Sequence, residues 1–311
     1  MKTFKFMVVN MLFVSVVLCT SLCVLCSSEN EVRKSYEVLT DLMFTQGFVL
    51  TGATHKDPVS IETFGLKDVT PAWRIAQWNS KSSLDRRQYN DHFIVLEDDC
   101  KSVTVDRKSG AINLTVHASK EYTTPRVSSS EPWVHLLLEQ STFQRALKVA
   151  DVSEIWVEVE FELTENKAYG EQDPSIHAAQ LSWFLYLKNT NSQSKGFHDF
   201  VWFGLSMFDS RYDFVPDYAL QDFAMPNGSF IFTLGSKHYF DKPVEIGKRK
   251  TIRRNIKSDI CKGIETAHQY GFINHTTIHD VALDGTNIGW EVPGVYDVGV
   301  TIYKMNITVI E

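Results

Sequence analysis

Hydrophobic and polar residues alternate with a period of two over much of this chain. The clearest case is Glu154-Ile-Trp-Val-Glu-Val-Glu-Phe-Glu-Leu163. There Ile155, Val157, Val159, Phe161 and Leu163 interleave with Trp156, Glu158, Glu160 and Glu162. Successive side chains of a strand point to opposite faces, so the first set predicts a core face and the second a solvated one. Similar runs occur at 93–97, 102–106, 111–117, 133–140, 177–187, 200–208, 229–234 and 295–310, with turn-forming clusters at 106–110 and 189–196. Serial strands without alternating helices predict an all-β fold, an antiparallel jelly-roll β-sandwich. Two stretches carry helical spacing and are expected as peripheral helices. One is 31–44, with Val32, Tyr36, Leu39, Leu42 and Met43; the other is 248–270, with Ile252, Ile256, Ile260 and Ile264 four apart and Gly271 as a stop.

The amino terminus follows a different pattern. Lys2 and Lys5 precede an apolar run over 6–25, and the small residues Cys26, Ser27 and Ser28 follow it. A basic start, an apolar middle and a small-residue exit predict a secretory signal peptide over 1–28 and one secreted, extracellular domain over 29–311. A retained signal anchor is the alternative. No later stretch is apolar for long enough to span a bilayer. Losing Lys2 and Lys5 takes the formal charge from −7 to −9. That acidic balance disfavours a nucleic-acid partner. With 43% hydrophobic and 22% charged residues, disorder and coiled coil are excluded as well.

The leader also sorts the five cysteines, since Cys19, Cys23 and Cys26 lie within it. Cys100 and Cys261 remain, and an oxidising compartment favours one disulfide between them over two buried free thiols. Sequons at Asn113, Asn227, Asn274 and Asn306 predict a glycoprotein with each asparagine exposed.

Several catalytic signatures are missing, including the dinucleotide and phosphate-loop glycine patterns, the His-Glu-x-x-His zinc motif and the Gly-x-Ser-x-Gly elbow. What remains points to sugars. In the segment 177–187, Ala179, Leu181, Trp183, Leu185 and Leu187 form a core face, while Gln180, Ser182, Phe184 and Tyr186 mix amide, hydroxyl and aromatic groups. Sugars present apolar ring faces bordered by hydroxyls, which suits such a mixture on a concave sheet. Trp133, His135, Leu137 and Glu139 repeat the theme, and Trp202, Asp209 and Arg211 close a third segment. A two-layer core with locally satisfied polar groups reads the same residues without a ligand.

Glu158, Glu160 and Glu162 form a Glu-x-Glu-x-Glu strand. It resembles the Glu-x-Asp-x-Glu strand of laminarinase-like glycoside hydrolases, which share a curved, concanavalin A-like sandwich. Glu160 stands where that family has Asp. The resemblance implies a glycan-active sandwich whose neighbouring carboxylates would serve as acid and nucleophile; a solvated strand face has the same alternation.

Three functions therefore stay open: carbohydrate binding, polysaccharide cleavage, and a structural or interaction role without a small-molecule site. A hydrolase would draw its acid and nucleophile from Glu158 and Glu162 or from Glu139 and Asp209. A lyase would use His177 or His135 as base, with Arg211 and Gln180 neutralising charge. No organic cofactor is called for; a structural Ca2+ held by Asp280, Asp284 and Asn287 around Gly285 is the one ion these residues suggest, against an ordinary turn. The basic run Lys248 to Lys257 reads as an anionic-glycan contact or a solvated helix face.

Overall fold

The structure is a computed structural model, and it describes residues 34–52, 59–141, 143, 146–222 and 229–311. The leader with its three cysteines and the Asn227 sequon lie outside the described residues. No helix among the described residues is long and apolar enough to cross a membrane.

Strands dominate, as the alternation predicts, and they form two sheets. The eight-stranded sheet runs β16 (Arg249–Asn255), β11 (Glu154–Ala168), β18 (Tyr296–Ile310), β8 (Ile112–His117), β7 (Lys101–Asp106), β6 (Phe93–Glu97) and β5 (Arg86–Tyr89), with β1 (Ser35–Glu37) also on β18. The ten-stranded sheet runs β14 (Tyr218–Gln221), β15 (Phe230–Leu234), β13 (Phe200–Asp209), β12 (Gln180–Asn189), β17 (Val281–Val292), β9 (Val134–Ser141), β4 (Trp73–Ala76), β2 (Phe48–Leu50) and β3 (Ser60–Glu62). β10 (Leu147–Lys148) adds to β17. All pairs are antiparallel except β2 with β4 and β13 with β15. The helices are α1 (Ala118–Glu121) and α2 (Lys257–Gln269).

The core lies where the inward halves of the alternations meet. Val157, Val159, Phe161, Leu114, Val116, Val298 and Val300 of one sheet share a buried cluster with Leu136, Leu138, Trp183, Leu185, Phe203, Ile288 and Trp290 of the other. A buried indole needs an acceptor as well as packing. Trp290 Nε1 donates to Leu114 O across the two sheets at 3.1 Å, and Trp183 Nε1 donates to Thr286 Oγ1 at 2.7 Å.

Four expectations are corrected. The described part of 31–44 is strand and turn; residues at helical spacing there instead anchor a strap, with Leu39 and Phe44 buried and Asp41 and Phe44 at positive φ. The helix expected over 248–270 keeps only its second half. Its first half is strand β16, two of whose bases lie beside the acids of β11: Arg253 stands opposite Glu158 and Arg249 opposite Glu162, with Arg249 also reaching Glu160 at 2.8 Å. Cross-strand charge of opposite sign favours that pairing.

Cys100 and Cys261 are both free. Cys100 sits in the β6–β7 turn and Cys261 on α2, which packs on β11, β13 and β15. β7 and β11 are separated by two strands of the same sheet, a spacing of roughly 14 Å against the ~7 Å limit for a bridge. Finally, the sequon asparagines differ in exposure. Asn274 is exposed and Asn113 half-buried, but Asn306 is 8% exposed because the β1 segment covers it, with its Nδ2 donating to Glu37 Oε1 at 2.8 Å.

One buried charge stands out. Lys101 is 2% exposed, and its Nζ donates to Asp98 Oδ2 (2.7 Å), Ser82 O and Ser82 Oγ (3.0 Å each), with Glu121 at 3.7 Å. Burial raises the Asp98 pKa, but the Lys101 hydrogen bond and charge outweigh it and leave it lowered. A lowered carboxyl contributes stability above its unfolded pKa, lost as pH falls through the folded one. Lys101→Ala leaves two buried carboxylates without their cation and is expected to cost about 3–5 kcal/mol at pH 7. Arg249→Ala, on the wet face, should cost far less. Urea denaturation of both variants checks the contrast.

Candidate functional site

The outward face of the ten-stranded sheet collects most of the chemically active residues, and the strand registers set them out in rows. β17 lies between β9 and β12. Its inward residues Thr286, Ile288, Trp290 and Val292 join the core side, so Asn287, Gly289 and Glu291 face outward. Across the sheet, Glu291 stands opposite His135 on one side and Gln180 on the other, and Gln180 stands opposite Asp209. The next row holds Leu137, Gly289, Ser182 and Ser206, two residues along β9, β17 and β12 and three along β13, continued on β4 by Ala76. A third row holds Arg74, Glu139, Asn287, Phe184 and Gly204. The middle row has one large side chain, Leu137, so it forms a low line across the strands between two higher banks.

Two local features build these rows. At Gly289, φ is +153°, and a Cβ would lie 2.2 Å from Leu136 O, so glycine alone lets β17 lie against β9 there. At Met207, β13 carries one extra residue against β12: Leu181 pairs Phe208 while Ser182 pairs Ser206. Such a bulge reverses facing beyond it. Phe208 consequently turns toward the core, where its ring meets Trp290 edge-on at 6.2 Å, and Asp209 emerges on the outer face beside Gln180.

The first bank is a connected polar chain. His135 Nε2 lies 3.4 Å from Glu291 Oε2, and His135 Nδ1 lies 3.0 and 3.2 Å from the carbonyls of Trp133 and Trp78. With an acceptor at each nitrogen, the ring is set to donate from both. Burial disfavours the imidazolium, but the Glu291 hydrogen bond and charge, with the two carbonyls, raise its pKa. Burial likewise pushes the Glu291 carboxyl up, and His135 and the Trp133 N–H more than reverse it. The glutamate's contribution to stability is thus present above its unfolded pKa and the histidine's below its own, near 6.5; each is lost beyond its folded value. Gln180 Nε2 donates to Asp209 Oδ2 at 2.9 Å, and Arg211 grips Asp209 through Nε (2.9 Å) and Nη2 (2.6 Å).

The second bank centres on Glu139, 6% exposed. Burial drives its pKa up to about 7, against the opposing influence of Arg74, the Tyr186 hydroxyl and His135. Tyr186 Oη receives Asn287 Nδ2 at 3.1 Å and lies 3.5 Å from Glu139 Oε1. Asn287 Oδ1 is buried and has no donor among the described residues. Beyond, Phe184, Tyr186, Phe200 and Trp202 form a half-exposed aromatic cluster with edge-on and tilted contacts, and the Phe184 ring lies over Gly204, 2.6 Å from where a Cβ would be. Trp202 Nε1 donates to Asp222.

The structure thus brings His135, Glu139, Gln180, Ser182, Phe184, Tyr186, Trp202, Asp209 and Arg211 to one face. Trp133 borders it, with its ring against those of His135 (5.4 Å) and the Arg126 guanidinium (4.8 Å). His177 stands apart. Its Nδ1 accepts from Asp173 N (2.8 Å) and its Nε2 donates to Arg126 O (2.6 Å), so both nitrogens are committed to bracing loops. Glu158, Glu160 and Glu162 lie on the other sheet's outer face, paired with Lys304 (2.9 Å) and Arg249 (2.8 and 3.9 Å). The suggested Ca2+ ligands disperse: Asp280 accepts from Thr277 and Asn191, while Asn287 is seven residues along the chain. Glu291, Asn287 in its observed role, Arg74 and Tyr218, whose pKa is pushed up to about 12 by burial and then by Glu291 and Asp209, join the face without having been selected from sequence.

No family model matches the chain, and no curated protein matches it. Among solved structures it is similar to a family 12 xyloglucanase from Bacillus licheniformis, with TM-score 0.43 and 11% identity over 74% of this chain and 99% of that one. It is also similar to the family 11 xylanase from Neocallimastix patriciarum (0.40, 8%, 74% and 97%). A third is the xyloglucanase domain of the Sinorhizobium fredii effector NopAA in complex with cellobiose (0.38, 8%, 73% and 100%).

Glu139 supplies a test of this electrostatic picture. A carboxyl raised from 4.5 to about 7 contributes fully to stability below its unfolded pKa and loses that contribution as pH rises through 7. Glu139→Gln removes the titration while keeping a hydrogen-bonding group of similar size. The variant should gain on the wild type by up to about 3 kcal/mol between pH 5 and pH 8.5. Chemical denaturation across that range reads it, and a pH-independent difference would contradict the assignment.

Proposed function

We propose that the outward face of the ten-stranded sheet binds a linear carbohydrate chain laid across the strands. The observation that carries this reading is the low row of Ala76, Leu137, Gly289, Ser182 and Ser206 between two polar banks. A line running across strands meets a new side chain roughly every 4.8 Å, so an extended polymer finds repeated contacts along it. The amide of Gln180, the Glu291 carboxylate and the donor-less Oδ1 of Asn287 suit the hydroxyls of a sugar, and the Phe184–Trp202 cluster suits its apolar ring faces. The signal-like leader fits an extracellular glycan as partner.

Hydrolysis on the same face is the second reading, and the unequal carboxyls favour it. Glu139 is poised to hold a proton near neutrality while Glu291 is ionised. They stand on adjacent strands four residues apart in register, about 13 Å along the strand direction. That backbone separation is wider than the ~6.5–9.5 Å between the carboxyls of an inverting pair, so the two side chains would have to lean toward each other over the low row to act on one bond. Asp209, held by Arg211 and Gln180, is better placed to orient than to attack. A lyase base is harder to find, since both nitrogens of His177 are occupied and His135 is paired with Glu291.

A panel of soluble neutral polysaccharides, titrated calorimetrically, tests the binding reading. Wild type should bind at least one of them. Ser182→Trp, which fills the low row, should weaken binding by about 100-fold or more, and Gln180→Ala by about tenfold, one lost hydrogen bond to a charged or polar partner. No binding by wild type, or undiminished binding by folded Ser182→Trp, would overturn it. Reducing-end release assayed in parallel separates the readings: turnover that Glu139→Gln and Glu291→Gln each abolish makes the groove a hydrolase, and binding without turnover makes it a lectin.

A further inference from the structure

We propose a divalent metal site, of the kind that takes Zn2+, on the outward face of the eight-stranded sheet, formed by His117, Glu165 and Asp297. These residues come from three neighbouring strands, β8, β11 and β18, and the ladder brings them together. His117 stands opposite Asp297, and Glu165 stands opposite Gly299 two residues further along. Their alternation is that of the outer face, because Val116 and Val298 point into the core. An irregularity between Leu163 and Glu165 turns Glu165 onto this face; without it, Glu165 would follow Phe161 and Leu163 inward.

The ligand atoms fit one ion. One atom from each residue lies within 4.8 Å of the other two, and His117 Nε2 is 3.4 Å from Glu165 Oε2. Two ligands each ~2.1 Å from a tetrahedral zinc are about 3.4 Å apart, so that pair already has the required spacing and Asp297 needs only a small adjustment. One imidazole and two carboxylates favour zinc-like ions over Ca2+, which prefers six or more oxygens. The arrangement also has support behind it. Asp297 is 5% exposed, and both its oxygens are oriented by Ser119, through the backbone N–H (3.2 Å) and the hydroxyl (3.0 Å). Such outer partners fix a ligating carboxylate. The pair is reachable from solvent, with the His117 and Glu165 side chains 31% and 38% exposed. Lys167 of β11 stands opposite Asp297 as an opposing charge, and its ammonium is 4.5 Å from the Tyr169 ring centroid.

Three ligands leave a fourth position for water or a donor from a partner. The site lies on the sheet opposite the proposed glycan face, so it makes no use of that reading.

The full-length secreted chain, freed of metal by chelation, tests the proposal by calorimetric titration with Zn2+ and by visible absorption with Co2+. One equivalent should bind with micromolar or tighter affinity, and Co2+ should give the intense bands of a four-coordinate site. His117→Ala and Glu165→Gln should each weaken binding at least tenfold. His238→Ala, which removes another surface histidine paired with a carboxylate, should leave it unchanged. Absence of binding at 100 µM Zn2+, or stoichiometric binding that survives both ligand variants, or binding lost in His238→Ala instead, overturns the site. Circular dichroism monitors folding, and if His117→Ala does not fold, the isosteric Glu165→Gln decides.

Discussion

Everything on the candidate face depends on one strand being allowed to lie at the centre of its sheet. β17 pairs with β9 and β12 along nearly its whole length, and its neighbours crowd it. A Cβ at Gly285 would meet the Tyr186 ring at 2.6 Å and one at Gly289 the Leu136 carbonyl at 2.2 Å. Those absent side chains let the flanking strands close in. The inward half of the same strand then ties the sandwich together, with Trp290 bonded to the opposite sheet and Thr286 accepting from Trp183. The outward half has no choice but to present Asn287 and Glu291. Packing and site are therefore two faces of one alternation, and a disturbance of either is felt by the other.

The two outer faces spend their charge differently. On the eight-stranded sheet, acids meet bases across strands: Glu158 with Lys304, Glu160 and Glu162 with Arg249. These pairs are partly exposed and worth little individually, but they leave that row of acids neutralised. On the ten-stranded sheet, Glu291 is held by a histidine, Asp209 by an arginine and an amide, and Glu139 lies buried beside the Tyr186 hydroxyl, with burial raising its pKa against Arg74 and that hydroxyl. A face whose carboxyls sit in three different surroundings is chemically graded in a way that a paired ladder is not.

Much of this architecture was legible in the sequence because the signal is a period of two. The strands at 93–97, 154–163, 200–208 and 229–234 coincide closely with those observed. The reading failed where another force overrode the local pattern. Residues 249–255 have helical isoleucine spacing, yet the acids of β11 recruit them as a strand. In β17 the sequence around Gly285, with Asp284 and Asn287, has the composition of a turn, whereas here Gly285 and Gly289 answer to neighbouring strands. Glu291, the hub of the polar bank, is obscured with that strand. The faces of β12 are legible for the same reason as the core: burial alternates without interruption through Trp183 and its neighbours. Distances between strands, by contrast, have no signature in a linear pattern, so the Glu158–Glu162 row looked catalytic until its partners were visible.

The extra residue at Met207 has a further consequence for how such a face arises. Beyond it, facing is governed by parity: one residue more and Asp209 looks outward, one fewer and the same aspartate looks into the apolar interior. Deleting that one residue would leave the Asp209 carboxylate facing an apolar interior and break its pairing with Arg211 and Gln180 together, so the polar bank hangs on a count of residues as much as on their identities.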